Sequence, residues 1–119
     1  MKSILLAFLS VVLLPAAIAA DSVYLVQSTP ADGSLIITRP SEFVFEFSEP
    51  VRFNKLLLSR EGERGSKSIS GLPQQDAKTH TIPAPALSEG NYILEWKVFT
   101  HESTLASGRI RFMIAAPSS

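Results

Sequence analysis

Apolar and polar residues alternate along three stretches of the chain. Phe43, Phe45 and Phe47 alternate with Val44 and Glu46; Tyr92, Leu94 and Trp96 with Ile93, Glu95 and Lys97; Ile110, Phe112 and Ile114 with Arg109, Arg111 and Met113. A fourth stretch, Leu56-Leu57-Leu58, is a short continuous apolar run. A period of two sends successive side chains to opposite faces, so these stretches are predicted strands. Turn chemistry separates them: Pro30-Ala31-Asp32-Gly33, Arg39-Pro40, Glu49-Pro50, Gly71-Leu72-Pro73 and Ser88-Glu89-Gly90-Asn91. No stretch carries a sustained helical stripe. The pattern predicts an all-β domain, an immunoglobulin-like Greek-key β-sandwich or barrel of about seven short strands. Tyr92 and Trp96 share one strand face and are expected in the core with their polar tips partnered. Residues 60–78 read as a long exposed loop or weak hairpin, and His80 as a half-exposed strand residue.

The amino-terminal 20 residues change the picture. Lys2 precedes an apolar run over residues 4–14 broken only by Ser10, and small residues follow. This is the pattern of a cleaved secretory signal, and the run is too short to span a bilayer comfortably. The expected organisation is a signal peptide over 1–20 and one domain over 21–119, with no membrane span once the signal is removed. Ala17-Ile18-Ala19 fits a cut that leaves Ala20 first; a cut after Ala20 leaves Asp21 first, and both stay open.

Composition then narrows the chemistry. Lys and Arg number 11 against 11 Asp and Glu, which argues against the basic footprint of a nucleic-acid binder. There is no cysteine and there are two histidines, so disulfides, thiolate zinc sites and a cysteine nucleophile are excluded and any metal must rest on N and O donors. The six glycines are dispersed and no Gly-x-Ser-x-Gly elbow occurs, so no enzymatic activity is expected. Glu42, Glu46, Glu49, Glu61, Glu63 and Glu95 read as mostly solvent-facing charges.

Four motifs then occur in order. They are Ser28-Thr29-Pro30-Ala31-Asp32-Gly33 after an apolar strand, Phe45-Glu46-Phe47-Ser48-Glu49, Leu87-Ser88-Glu89-Gly90-Asn91-Tyr92-Ile93-Leu94-Glu95-Trp96-Lys97-Val98, and Gly108-Arg109-Ile110-Arg111-Phe112. Together they resemble the CopC family of periplasmic copper-resistance proteins across the whole segment after residue 20. The resemblance implies a periplasmic location, a monomer, a CopD-type membrane partner, and a Cu(II) site. That site would use an amino-terminal His and an Asp-x-His motif between the last two strands, a donor set suited to tetragonal Cu(II). At the matching positions this chain has Ser22, Glu102 and Thr104. The Met-rich Cu(I) site of some members is not expected, because Met113 is the only methionine after residue 20. The expectation is therefore a copper-handling protein with a weakened or non-standard Cu(II) site at Glu102 and His101, joined by Asp21 if the chain begins there. The alternative is a metal-free binding or structural module that keeps the sandwich.

Overall fold

The alternating stretches fold as strands because each buries one of its two faces. The structure, a computed structural model, describes residues 23–115; the expected signal segment over 1–20, Asp21 and Ser22 lie outside them. Seven strands follow in order: β1 (Leu25–Thr29), β2 (Ser34–Ile36), β3 (Glu42–Arg60), β4 (Lys67–Ser68), β5 (Ala77–Pro83), β6 (Gly90–Phe99) and β7 (Leu105–Ile114). One sheet runs β1-β3-β5, the other β4-β3-β6-β7-β2. All pairings are antiparallel except β2 with β7. This is the all-β sandwich that the alternation predicts.

β3 belongs to both sheets, and this differs from the sequence expectation. Glu49-Pro50 reads as a turn, yet the strand passes through it for 19 residues. Proline has no N–H for a ladder, and the pairing with β5 is interrupted between Glu46 and Val51; β3 makes one more pair, Val51 with Ala77, and then leaves the first sheet. From Arg52 onward it pairs with β6. A bulge between Phe53 and Lys55 then adds one residue. The inward set accordingly changes parity, from Phe43, Phe45, Phe47, Val51 and Phe53 to Leu56 and Leu58. Residues 60–78 contain the two-residue strand β4, and Ile69 just beyond it is buried, so this segment is a short hairpin arm tied to the core.

The core between the sheets is aromatic. Phe47 meets Trp96 edge-on at 5.1 Å, Phe45 meets Phe53 at 5.3 Å, and Tyr92 stacks on Phe112 at 5.4 Å. The Tyr92 hydroxyl donates to the Ser88 carbonyl at 2.7 Å, as expected of a buried tyrosine. Trp96 departs from that expectation, since its buried Nε1–H has no partner among the described residues. The indole instead covers Gly108 on the neighbouring strand. A Cβ on Gly108 would press on Trp96 Cζ2, with Cε2 at 2.7 Å and Nε1 at 3.0 Å. Gly108→Ala should cost about 1–3 kcal/mol by overpacking, read as a lowered urea midpoint; an unchanged midpoint would show that the indole moves aside freely.

The turn over Pro30-Ala31-Asp32-Gly33 is long-range punctuation. Gly33, at φ 80°, gives its N–H to the Arg111 carbonyl at 2.6 Å, and Asp32 Oδ1 accepts the Arg111 N–H at 2.8 Å. Here the Asp-Gly pair ties the β1–β2 connection to β7.

Candidate functional site

Thr100 to Thr104 close the β6–β7 hairpin. The Thr100 N–H donates to the Thr104 carbonyl at 2.9 Å, and the Ser103 N–H to the Thr100 carbonyl at 2.8 Å. Thr100 Oγ1 accepts the backbone N–H groups of Glu102 and Thr104, and Ser103 takes a φ of 64°. These bonds use the loop's backbone internally and leave the side chains of His101 and Glu102 facing solvent.

A third side chain arrives through the topology. Arg52 of β3 pairs with Phe99 of β6, so the residues just before Arg52 lie beside the loop that follows Phe99. Glu49 is among them, and its Oε1 lies 3.7 Å from His101 Nδ1. Glu102 Oε2 lies 4.0 Å from His101 Nε2. The exposed imidazole thus lies between two carboxylates, one near each ring nitrogen, at distances too long for hydrogen bonds. Glu49 is more than a solvent-facing strand charge, and the sequence reading missed it as a site residue. Its nearness to His101 follows from the β3–β6 register, which no spacing in the chain reveals.

The chain also enters at this end. Ser48 exchanges two bonds with Tyr24: the Ser48 N–H donates to the Tyr24 carbonyl at 2.9 Å and the Tyr24 N–H to Ser48 Oγ at 3.1 Å. Tyr24 therefore lies beside the residue preceding Glu49. Asp21, named as a candidate ligand, falls outside the described residues. Thr104 closes the loop as a backbone partner of Thr100.

The donors suit Cu(II) in type, one imidazole nitrogen with carboxylate oxygens. In number they fall short. The two nitrogens of one ring point in different directions, so one ion would take one nitrogen with one carboxylate, while the other carboxylate orients the ring. Among the described residues, no group of three or more His, Asp or Glu side chains is arranged to hold an ion.

His80 stands apart and corrects the sequence expectation. It is buried at 2% exposure, because it lies on the inward face of β5 opposite Phe45. Its ring packs edge-on against Phe53 at 5.1 Å and Phe47 at 6.3 Å. Nε2 lies 2.8 Å from the Val51 carbonyl and 2.9 Å from the Ala77 carbonyl. Both neighbours are acceptors, so Nε2 carries the proton. The side chain bridges the interruption in the β3–β5 ladder.

An open cavity of about 640 Å³ lies between the β2 entry, the end of β3 and the start of β6. Part of its polar rim is engaged, since Arg60 pairs with Glu63 at 2.8 Å and donates to the Glu89 carbonyl, and Asn91 donates to Glu61; the buried Ser34 Oγ and Arg60 Nε have no partner among the described residues.

The family model for the CopC domain matches residues 25–115. Among solved structures, the fold is similar to that of CopC from Methylosinus trichosporium OB3b. That structure is 17% identical with a TM-score of 0.68, over 82% of this chain and 97% of that one. It is similar also to PcoC, a methionine rich copper resistance protein from Escherichia coli, at 21% identity and a TM-score of 0.60, over 78% and 98%. No curated protein matches the chain in sequence.

Proposed function

The chain belongs to the CopC family, and from that premise we propose that it is an exported, periplasmic copper-handling protein with a reduced Cu(II) site at the β6–β7 loop. The observation that supports this reading is the imidazole of His101 set between Glu49 and Glu102. His101 supplies the nitrogen donor and one of the two glutamates the oxygen donor. The remaining positions fall to water or to the amino terminus. Two imidazoles of the family pattern are replaced, by Ser22 and Thr104, so the site is weaker than a full set of ligands provides. The protein binds copper as cargo and carries out no chemistry on it. Its expected partner is a CopD-type membrane protein.

The test is a Cu(II) titration of the 21–119 chain against a competing chelator. A dissociation constant below about 1 µM, roughly −8 kcal/mol, that weakens by about tenfold or more in His101→Ala supports the reading. Glu49→Gln and Glu102→Gln should each weaken binding by a smaller factor. Affinity no better than that of a generic exposed imidazole, or indifference to His101→Ala, would favour a sandwich that has lost its metal.

A further inference from the structure

The outward face of the second sheet carries a line of positive charge. Strand pairing sets Arg52 opposite Phe99, Lys55 opposite Lys97, Leu57 opposite Glu95 and Ser59 opposite Ile93. Across the next strand, Leu105 is opposite Phe99, Ser107 opposite Lys97, Arg109 opposite Glu95 and Arg111 opposite Ile93. The buried residues of β6 and β7 are Tyr92, Leu94, Trp96, Val98, Ile110, Phe112 and Ile114, which sends Lys97, Arg109 and Arg111 outward. Arg52 and Lys55 are exposed on β3. The face therefore holds five of the chain's 11 basic residues and, in Glu95, one of its 11 acidic ones.

Apart from Arg52, whose guanidinium lies over the Phe99 ring, two further observations show that this charge makes no contact that serves the fold. Among the described residues, none of the five side chains makes an ion pair or a hydrogen bond. Lys55 and Lys97 stand directly opposite each other, an arrangement that destabilises a sheet. We infer that this stripe is a docking surface for an extended acidic polypeptide segment.

The shape of the stripe chooses this occupant. The five cations descend diagonally from Arg52 on β3, through Lys55 and Lys97, to Arg109 and Arg111 on β7, a run of roughly 20 Å. They form a line and do not fill the face. Carboxylates close both ends: Glu49 and Glu102 beyond Arg52, and Asp32, which accepts the Arg111 backbone N–H. A continuous anionic plane such as a lipid surface would be repelled by those ends. A narrow anionic strand of about six residues fits between them. Phe99 and the exposed Leu105 supply an apolar anchor at the Arg52 end, where the guanidinium lies 5.8 Å from the Phe99 ring centre.

The test is fluorescence anisotropy with a labelled Glu/Asp-rich peptide of about eight residues. It uses the 21–119 chain, whose described part contains the aromatic core set out above. Binding is expected to weaken as salt rises. The double charge reversal Lys97→Glu with Arg109→Glu should weaken it by about tenfold or more. The equal-charge control Arg64→Glu with Lys78→Glu, placed off the stripe, should change it by less than about twofold. The wild-type melting curve should be retained or improved in Lys97→Glu, because the like-charge pair is relieved. Equal losses in both double variants, or no binding at about 50 mM salt, overturn the proposal. So does preferential sedimentation with phosphatidylglycerol vesicles, or self-association of the chain through this face.

Discussion

Phe47→Ala should lower the unfolding free energy by about 3–5 kcal/mol, a large part of the roughly 5–15 kcal/mol available to a domain. Phe47 is 1% exposed. It also sits where the two sheets meet: its ring faces Trp96 at 5.1 Å, Phe53 at 5.9 Å, Phe45 at 6.2 Å and His80 at 6.3 Å. Three of these partners are aromatic side chains of β3 and β6, and one is the histidine that closes the β3–β5 interruption. Removing the ring leaves a cavity lined by rigid planar groups that collapse poorly. Urea unfolding followed by the fluorescence of Trp96, the single tryptophan, reads the loss directly. Val44→Ala, on the outward face of the same strand, is the comparison and should cost less than about 1 kcal/mol. A loss below about 1.5 kcal/mol for Phe47→Ala would mean that the core relaxes around the gap.

That Phe47 belongs to the core is legible in the bare alternation of Phe43, Phe45 and Phe47. The same holds for β6 and β7, where period two runs unbroken and the buried set matches it residue by residue. β3 was harder to read. Pro50 breaks the ladder and the bulge at Phe53–Lys55 shifts the inward parity, so one bent strand looks like two strands and a turn. The rule that failed at Glu49-Pro50 is local, whereas the reason the strand continues is tertiary: both halves have a sheet to join.

The candidate site divides in the same way. His101 and Glu102 are adjacent in a hairpin loop and could be nominated from sequence. Glu49 lies over 50 positions away and reaches His101 only through the Arg52–Phe99 pairing. His80 reads from the sequence as a half-exposed strand residue. Its environment is instead set by β5's inward parity with Ile82. The basic stripe was hidden for the opposite reason, since a neutral total says nothing about how charge is distributed among faces.

The fold and the site therefore carry different weight. Trp96 over Gly108, Tyr92 to Ser88 and Asp32 to Arg111 are bonds and contacts that a sandwich needs whether or not it holds an ion. A scaffold can persist after its ligands change. The residues most diagnostic of the family are thus those that say least about copper. The metal question rests on the few side chains at one hairpin.

His80→Leu should link the two levels. Leucine fills much of the imidazole's volume but offers no donor, so the Val51 and Ala77 carbonyls lose their contact with Nε2. Each stranded carbonyl costs about 1–3 kcal/mol. Because a single N–H is shared between the two carbonyls and the Ala77 contact is only part-buried, the expected total is about 1–3 kcal/mol. Val51 follows Glu49 by two residues, so freeing its carbonyl also loosens the segment that sets Glu49 against His101. Copper affinity in the folded variant should then fall toward that of Glu49→Gln, although His80 touches neither His101 nor Glu102. His80→Gln retains an amide donor on a shorter planar group and should recover part of both losses. Urea midpoints and copper titrations on the same three proteins separate the effects. If His80→Leu is as stable as the wild type, the bridge across the ladder is not what holds β3 in its bend. If stability falls while copper affinity does not, Glu49 is positioned by the Ser48–Tyr24 bonds alone.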